Sequence, residues 1–310
     1  MITLDDIRRA QQRLDGVVIQ TPLLPLKFGA KGIFLKCENL QLAGSFKIRG
    51  AYNNIAQLSA EQKKRGVVAY SSGNHAQGVA LAARMMGVPA TIVMLNSSIS
   101  EKVDQTKAYG AEVILGGNLS EEIKARAEKV AAERGYAVVQ PFNQAGTIAG
   151  QGTVGLEILA ALPQVETVVV QIGGGGLISG IATAIKSLRK QAHVIGVEPA
   201  GAPKMTRALE AGGPVTLPGT DTIADGLKPV RCGDLTYAHV KAHVERVVLV
   251  TDDEIRDGMR HLIRREKLMV EPSGAAAFAA VQCGKVEAKG PTAIVLSGGN
   301  ADLGLVKSLF

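Results

Sequence analysis

The chain has 310 residues, room for about two domains, and its 46% hydrophobic and 20% charged content excludes a disordered or collagen-like chain. No apolar run reaches the roughly 18 residues that a membrane helix needs, which argues against a membrane protein. The net charge of +7 suggests nucleic acid, but Lys and Arg are interspersed with acids and no Trp is present to stack bases, so small anionic ligands are the better reading.

The N-terminal stretch MITLDDIRRAQQRLDG lacks the apolar core of a signal peptide. Cys37, Cys232 and Cys283 are odd in number, far apart and form no CxxC pair, which points to a reducing cytoplasm. β-Branched runs predict strands at 66–70, 90–94, 112–115 and 137–140, with helices at 75–86, 101–109 and 120–134 between them. Further strands are expected at 167–172, 193–197, 246–250 and 293–296, each with helical sequence nearby. Short buried runs punctuated by Gly and Pro argue parallel sheets covered by helices on both faces. The fold class is therefore α/β, doubly wound. The loops SSGNH, GGGGL, VEP and SGGN each follow one of these strands, and open parallel sheets bind ligands outside the carboxyl ends of their strands. The four loops are expected to share one crevice.

Two segments suggest chemistry. Lys47 lies in GSFKIRGA (44–51), beside apolar Phe46 and Ile48 and near Arg49, a setting that can lower an amine's pKa and make it nucleophilic. Taken alone, a lysine is usually a solvated surface charge. Gly173, Gly174, Gly175, Gly176 and Leu177 separate an apolar strand from a helix expected to start near Ile178. Consecutive glycines and a helix N-terminus suit a phosphate. Neither register of the run fits the dinucleotide pattern strictly, although Glu198 falls near the ribose-binding spacing and keeps that alternative open. A nucleophilic lysine and a separate phosphate cradle are together what pyridoxal phosphate needs.

The helix start at Ser71, Ser72, Gly73, Asn74 and His75 reads either as an ordinary N-cap or as a turn whose N–H groups face a carboxylate. His75 is a candidate base there, or simply a local hydrogen-bonder. GxSxG, a hydrolase triad and metal-type His/Cys spacings are all missing from the sequence, and His239 and His243, one turn apart, read as a solvated helix face.

GSFKIRGA, SSGNHAQGVA, GGGGL and SGGN occur in this order, with IAGQGT at 148–153, TIADG at 222–226 and VEPSGA at 270–275. Over essentially its whole length the chain thus resembles the fold-type II pyridoxal-phosphate enzymes, in the threonine dehydratase, serine dehydratase and serine racemase family. The resemblance implies two open twisted parallel-sheet domains with helices on both faces, like the tryptophan synthase β-subunit. Residues 1–53 and 144–310 would form a large cofactor domain and 54–143 a small one, with Lys47 near their junction. It implies pyridoxal 5'-phosphate as cofactor and Lys47 as the Schiff-base lysine, freed by the substrate amine to remove the α-proton. Asn74 would bond the cofactor's phenolic oxygen, Gly173 to Leu177 its phosphate, and Ser297 its pyridine nitrogen. Ser71, Ser72, Gly73 and His75 would surround the substrate carboxylate. The implied reaction deaminates L-threonine, L-serine or a related β-hydroxy amino acid, such as hydroxyaspartate or phenylserine, to a 2-oxo acid and ammonia. A homodimer or homotetramer is also implied.

Departures from the family pattern refine these expectations. Many threonine-type relatives have Ala where this chain has Ser72, and a Ser there can act as acid or base on the face opposite Lys47. Some serine or aspartate racemase activity is therefore an alternative, against which Phe142 follows the dehydratase form. Ala43, Asn143 and MLNSS at 94–98 also depart from the usual residues and bear on substrate preference. Racemase-like relatives bind a divalent cation through the acid of VEP, a backbone carbonyl and a later Asp. Glu198 and Ala202 match, but the later acid is Lys204, which supplies no oxygen; no metal is expected, and Lys204 should be the positive partner of Glu198. Because the chain ends soon after SGGN, the additional regulatory domain and feedback control by isoleucine are not expected.

Overall fold

The structure, a computed structural model, describes residues 1–98 and 100–310. Ten strands are present among them: β1 (Leu23–Pro25), β2 (Ile33–Lys36), β3 (Val67–Tyr70), β4 (Ala90–Met94), β5 (Glu112–Leu115), β6 (Ala137–Val138), β7 (Thr167–Gln171), β8 (His193–Pro199), β9 (Arg246–Val250) and β10 (Thr292–Val295). They form a six-stranded sheet of order β1-β2-β10-β7-β8-β9 and a four-stranded sheet of order β5-β4-β3-β6. Apart from β1 the pairing is parallel.

The alternation of side chains explains why both faces of each sheet are covered. Val168 and Val170 of β7 pack with Ile158, Ile178, Ile181 and Ile185 on one face. Val169 of β7 and Val197 of β8 pack with Ile255, Met259 and Phe278 on the other. In the small sheet Val67, Ala69 and Ile92 meet Ile48 and Val79, whereas Val68 and Val93 meet Ile123, Ala127 and Val130.

All the strands read from the sequence are present, and 137–140 is shortened to Ala137–Val138 ahead of Pro141. Two further strands go beyond that reading. β1 and β2 are only three and four residues long. β1 runs antiparallel to β2, so the large sheet is not wholly parallel; its Pro25 is tolerated because an edge strand needs no second set of ladder donors.

Strand order places the site. β10 pairs with β7, Thr292 against Thr167, so the loops leaving their carboxyl ends are neighbours. β3 is an inner strand of the small sheet, and its carboxyl end leads into the helix Asn74–Met85. That helix approaches the start of the helix Lys47–Ala56 so closely that a Cβ on Gly78 would lie 3.1 Å from the Lys47 carbonyl carbon.

Candidate active site

Lys47 opens its helix and is half-buried. The segment before it is tied to the strand end carrying Ser297. Phe46 N donates to Ser297 O at 3.2 Å, and Ser45 forms a β-bridge with Gly298. Lys47 Nζ donates to the carbonyl of Pro141 at 3.0 Å and stands 5.3 Å from the centroid of the Phe46 ring. Burial lowers its pKa to about 8, with the Glu271 carboxylate pulling the other way. Arg49 is not the cause, contrary to the sequence reading. Its guanidinium is itself neutralised, 2.8 Å from Glu38 and 2.6 Å from Glu157.

The glycine run sits on the other side of Pro141-Phe142. A Cβ on Gly174 would lie 2.2 Å from the Phe142 ring, and one on Gly176 would lie 3.0 Å from the Phe142 Cα. Glycine is thus required for this loop to pass the ring. The following helix starts at Gly176, two residues earlier than expected, so Gly176 and Leu177 belong to its first turn. N–H groups at that turn have no acceptor within the helix and are available to an anion.

Of the residues after β3, Ser72 Oγ accepts from Leu95 N at 2.9 Å. Ser98 Oγ lies 2.7 Å from Ser72 Oγ and 2.6 Å from Leu95 O, and its single proton serves one of them. Ser71 Oγ accepts from Gly73 N at 3.2 Å. His75 Nε2 lies 2.9 Å from Val139 O, and burial, reinforced by the charge of Lys47, lowers its pKa to about 3. An imidazole that stays neutral and weakly basic is a poor proton acceptor at neutral pH. His75 is held as a local hydrogen-bonder.

Asn74 Nδ2 donates to Glu271 Oε1 at 2.6 Å, and Asn74 Oδ1 accepts from Asn300 Nδ2 at 2.8 Å. Ser297, just past β10, is buried. Lys204, on the VEP side, is enclosed: its Nζ lies 3.1 Å from Glu198 Oε1 and donates to the carbonyls of Ile172, Ala202 and Leu227 at 2.9, 3.0 and 3.1 Å. Ile172 immediately precedes the glycine run. SSGNH and SGGN thus meet directly through Asn74 and Asn300, and VEP reaches the residue before the glycine run through Lys204.

Sequence reasoning missed Glu271, Asn300 and the Pro141 carbonyl as parts of this site, although Glu271 stands in VEPSGA and Asn300 in SGGN. It also misread His239, which is fully buried. The Ile2 N–H donates to His239 Nε2 at 3.0 Å, and His239 Nδ1 lies 2.9 Å from Thr183 Oγ1. That helix face is covered by the N-terminal segment rather than by solvent.

A poised amine, a glycine loop on a helix N-terminus and a buried hydroxyl at an adjacent strand end fit pyridoxal phosphate as a group held at both its aldehyde and phosphate ends. Residues 14–298 match the family described as pyridoxal-phosphate dependent enzymes. The chain is 48% identical over 312 residues to an L-threonine ammonia-lyase of Thermotoga maritima, covering 99% of this chain and 77% of that protein. It is 42% identical over 315 residues to the catabolic L-threonine dehydratase TdcB of Escherichia coli, covering 99% and 96%. Among solved structures it resembles maize serine racemase with a TM-score of 0.95 at 41% identity, covering 99% of this chain and 96% of that one. The motifs, the fold and these matches agree: the chain belongs to the family of pyridoxal-phosphate-dependent enzymes.

Proposed function

We propose that the protein is an ammonia-lyase that dehydrates L-threonine, L-serine or a related β-hydroxy amino acid to a 2-oxo acid and ammonia. The observation that carries this reading is the position of Lys47, an amine with a pKa lowered to about 8, across Pro141-Phe142 from the glycine loop. The threonine ammonia-lyase and dehydratase names of the relatives support the substrate class.

The bound cofactor would supply an electron sink that weakens the bonds at the substrate's α-carbon. The protein supplies the rest. Near neutral pH a useful fraction of Lys47 is unprotonated, so its Nζ can act as nucleophile toward the cofactor's aldehyde and as base toward the α-proton. Helix Asn74–Met85 would turn its first N–H groups toward the substrate carboxylate, with Ser71, Ser72, Gly73 and His75 around it. Gly173 to Leu177 would hold the phosphate, Ser297 the ring nitrogen and Asn74 the phenolic oxygen. We take residues 1–53 and 144–310 as the cofactor domain and 54–143 as a small domain whose closure would exclude water. The assembly is proposed as a homodimer or homotetramer. A reducing cytoplasm suits its three free cysteines.

The test is to load the purified protein with pyridoxal phosphate and offer a panel of β-hydroxy amino acids. Oxo acid should be released from at least one of them, and borohydride should fix the cofactor on Lys47. Reduction at another lysine, or no oxo acid from any member, defeats the reading.

A second reading, serine or aspartate racemisation beside dehydration, is favoured by one observation. The Ser72 hydroxyl stands at the start of the helix with Ser98 as a hydroxyl partner.

A further inference from the structure

Glu271 is the N-cap residue of the helix Pro272–Gln282, yet its side chain makes no capping bond to that helix. An N-cap carboxylate ordinarily accepts from the first turn of its own helix. This one instead reaches Asn74, 197 residues away in sequence, and accepts its Nδ2–H at 2.6 Å. The other end of the Asn74 amide is also held. Its Oδ1 accepts from Asn300 Nδ2 at 2.8 Å, and Asn300 Nδ2 is in turn fixed by donating to Ala43 O at 2.9 Å. With an acceptor at one end and a donor at the other, only one sense of the Asn74 amide is satisfied. One N–H of Asn74 is left over.

The backbone is cleared for this chain of groups. A Cβ on Gly298 would lie 2.5 Å from Glu271 Oε1, and one on Gly44 would lie 2.1 Å from Asn300 Oδ1. Gly298 follows Ser297, and Gly44 lies three residues before Lys47. Any side chain at either position would collide with the network, which borders Ser297 and Lys47, two of the residues proposed for the cofactor.

We propose that Glu271 is a positioning residue of the cofactor site: its carboxyl oxygen fixes the Asn74 amide so that the remaining N–H is aimed at the cofactor's phenolic oxygen. This deepens the reading given above and rests on its assignment of Asn74. Burial pushes the Glu271 carboxyl up to about 7, while the Asn74 bond and the charges of Lys102 and Lys47 pull it down and Asp225 pushes it up. Ionised or protonated, Oε1 keeps a lone pair for Asn74, so the bond persists in both states and is stronger to the carboxylate.

The test measures pyridoxal-phosphate affinity by absorbance titration, so the role of Glu271 can be decided even in a protein that shows no dehydratase activity. Glu271→Ser puts a residue suited to an N-cap at this position but cannot reach Asn74. It should bind the cofactor about tenfold more weakly, the loss expected for one hydrogen bond to a charged group. Glu271→Gln keeps the acceptor and should recover most of that loss. In an Asn74→Ala background Glu271→Ser should cost nothing more, because the residue it acts through is gone. Equal losses in both backgrounds, or a Gln variant as weak as the Ser variant, overturn the proposal. If circular dichroism shows Glu271→Ser unfolded, Glu271→Asp, with its carboxylate drawn back by one methylene, completes the same cycle.

Discussion

Lys204 and Glu198 form an ion pair with both side chains wholly out of solvent, 3.1 Å from Nζ to Oε1. Three backbone carbonyls complete the surroundings of the ammonium, and Glu198 accepts from Met205 N, Thr206 N and Thr206 Oγ1. Burial lowers the Lys204 pKa and the facing carboxylate counteracts it. An unpaired charge left in such a place is costly, so Lys204→Met should destabilise the protein by about 3–5 kcal/mol in urea titrations. Combining it with Glu198→Gln should recover much of that loss. The ammonium already gives Glu198 a positive partner, so EDTA should leave activity intact. Loss on chelation that magnesium restores contradicts this.

The glycine loop predicts a selective lesion. Gly174→Ala places a methyl 2.2 Å from the Phe142 ring, so the ring or the loop has to move. Cofactor affinity should fall by at least about tenfold, while far-ultraviolet circular dichroism stays unchanged. Phe142→Ala in the same chain should restore part of the affinity. If Gly174→Ala binds pyridoxal phosphate as well as the parent, the loop is not the phosphate site.

Much of this architecture is legible in the sequence, because buried parallel strands appear as plain β-branched runs and the loops after them carry the motifs. What escapes is non-local. β1 and β2 are too short to show a pattern, and β1 exists only through its pairing with β2. The low pKa of Lys47 follows from its apolar neighbours, but the help expected from Arg49 fails because Glu38 and Glu157 neutralise it from elsewhere in the chain. The raised pKa of Glu271 arises from burial, and its partner Asn74 belongs to another motif altogether. His239 looks solvent-facing in the sequence because its helix alone says nothing of the N-terminal segment that covers it.

Ser72 separates the two activities. If its hydroxyl delivers or removes a proton on the face opposite Lys47, Ser72→Ala should abolish any interconversion of L- and D-serine while dehydration is retained. If it only helps to hold the carboxylate, the same change should raise KM for both reactions alike. Chiral analysis of serine recovered after partial turnover distinguishes these outcomes. Racemisation as fast as in the parent rules out the two-face role.

The burial of His239 sets a pH window for stability. Its ring is desolvated and close to the charges of His243 and the N-terminal amine, which lowers its pKa from 6.5 to about 4. Between those values the unfolded chain binds a proton that the folded chain does not. Stability therefore falls as pH drops from about 6.5 and stops falling on this account below about 4. Protonation would also give Nε2 a hydrogen where it now accepts the Ile2 N–H, so the N-terminal segment should be the first part to loosen. The denaturation midpoint in urea should decline across this window in the parent and decline less in His239→Gln, which has no ring to titrate. Because the variant shares every other titrating group, carboxylates and His75 cancel in the comparison. Parallel pH dependences in the two proteins would mean that His239 is solvated after all.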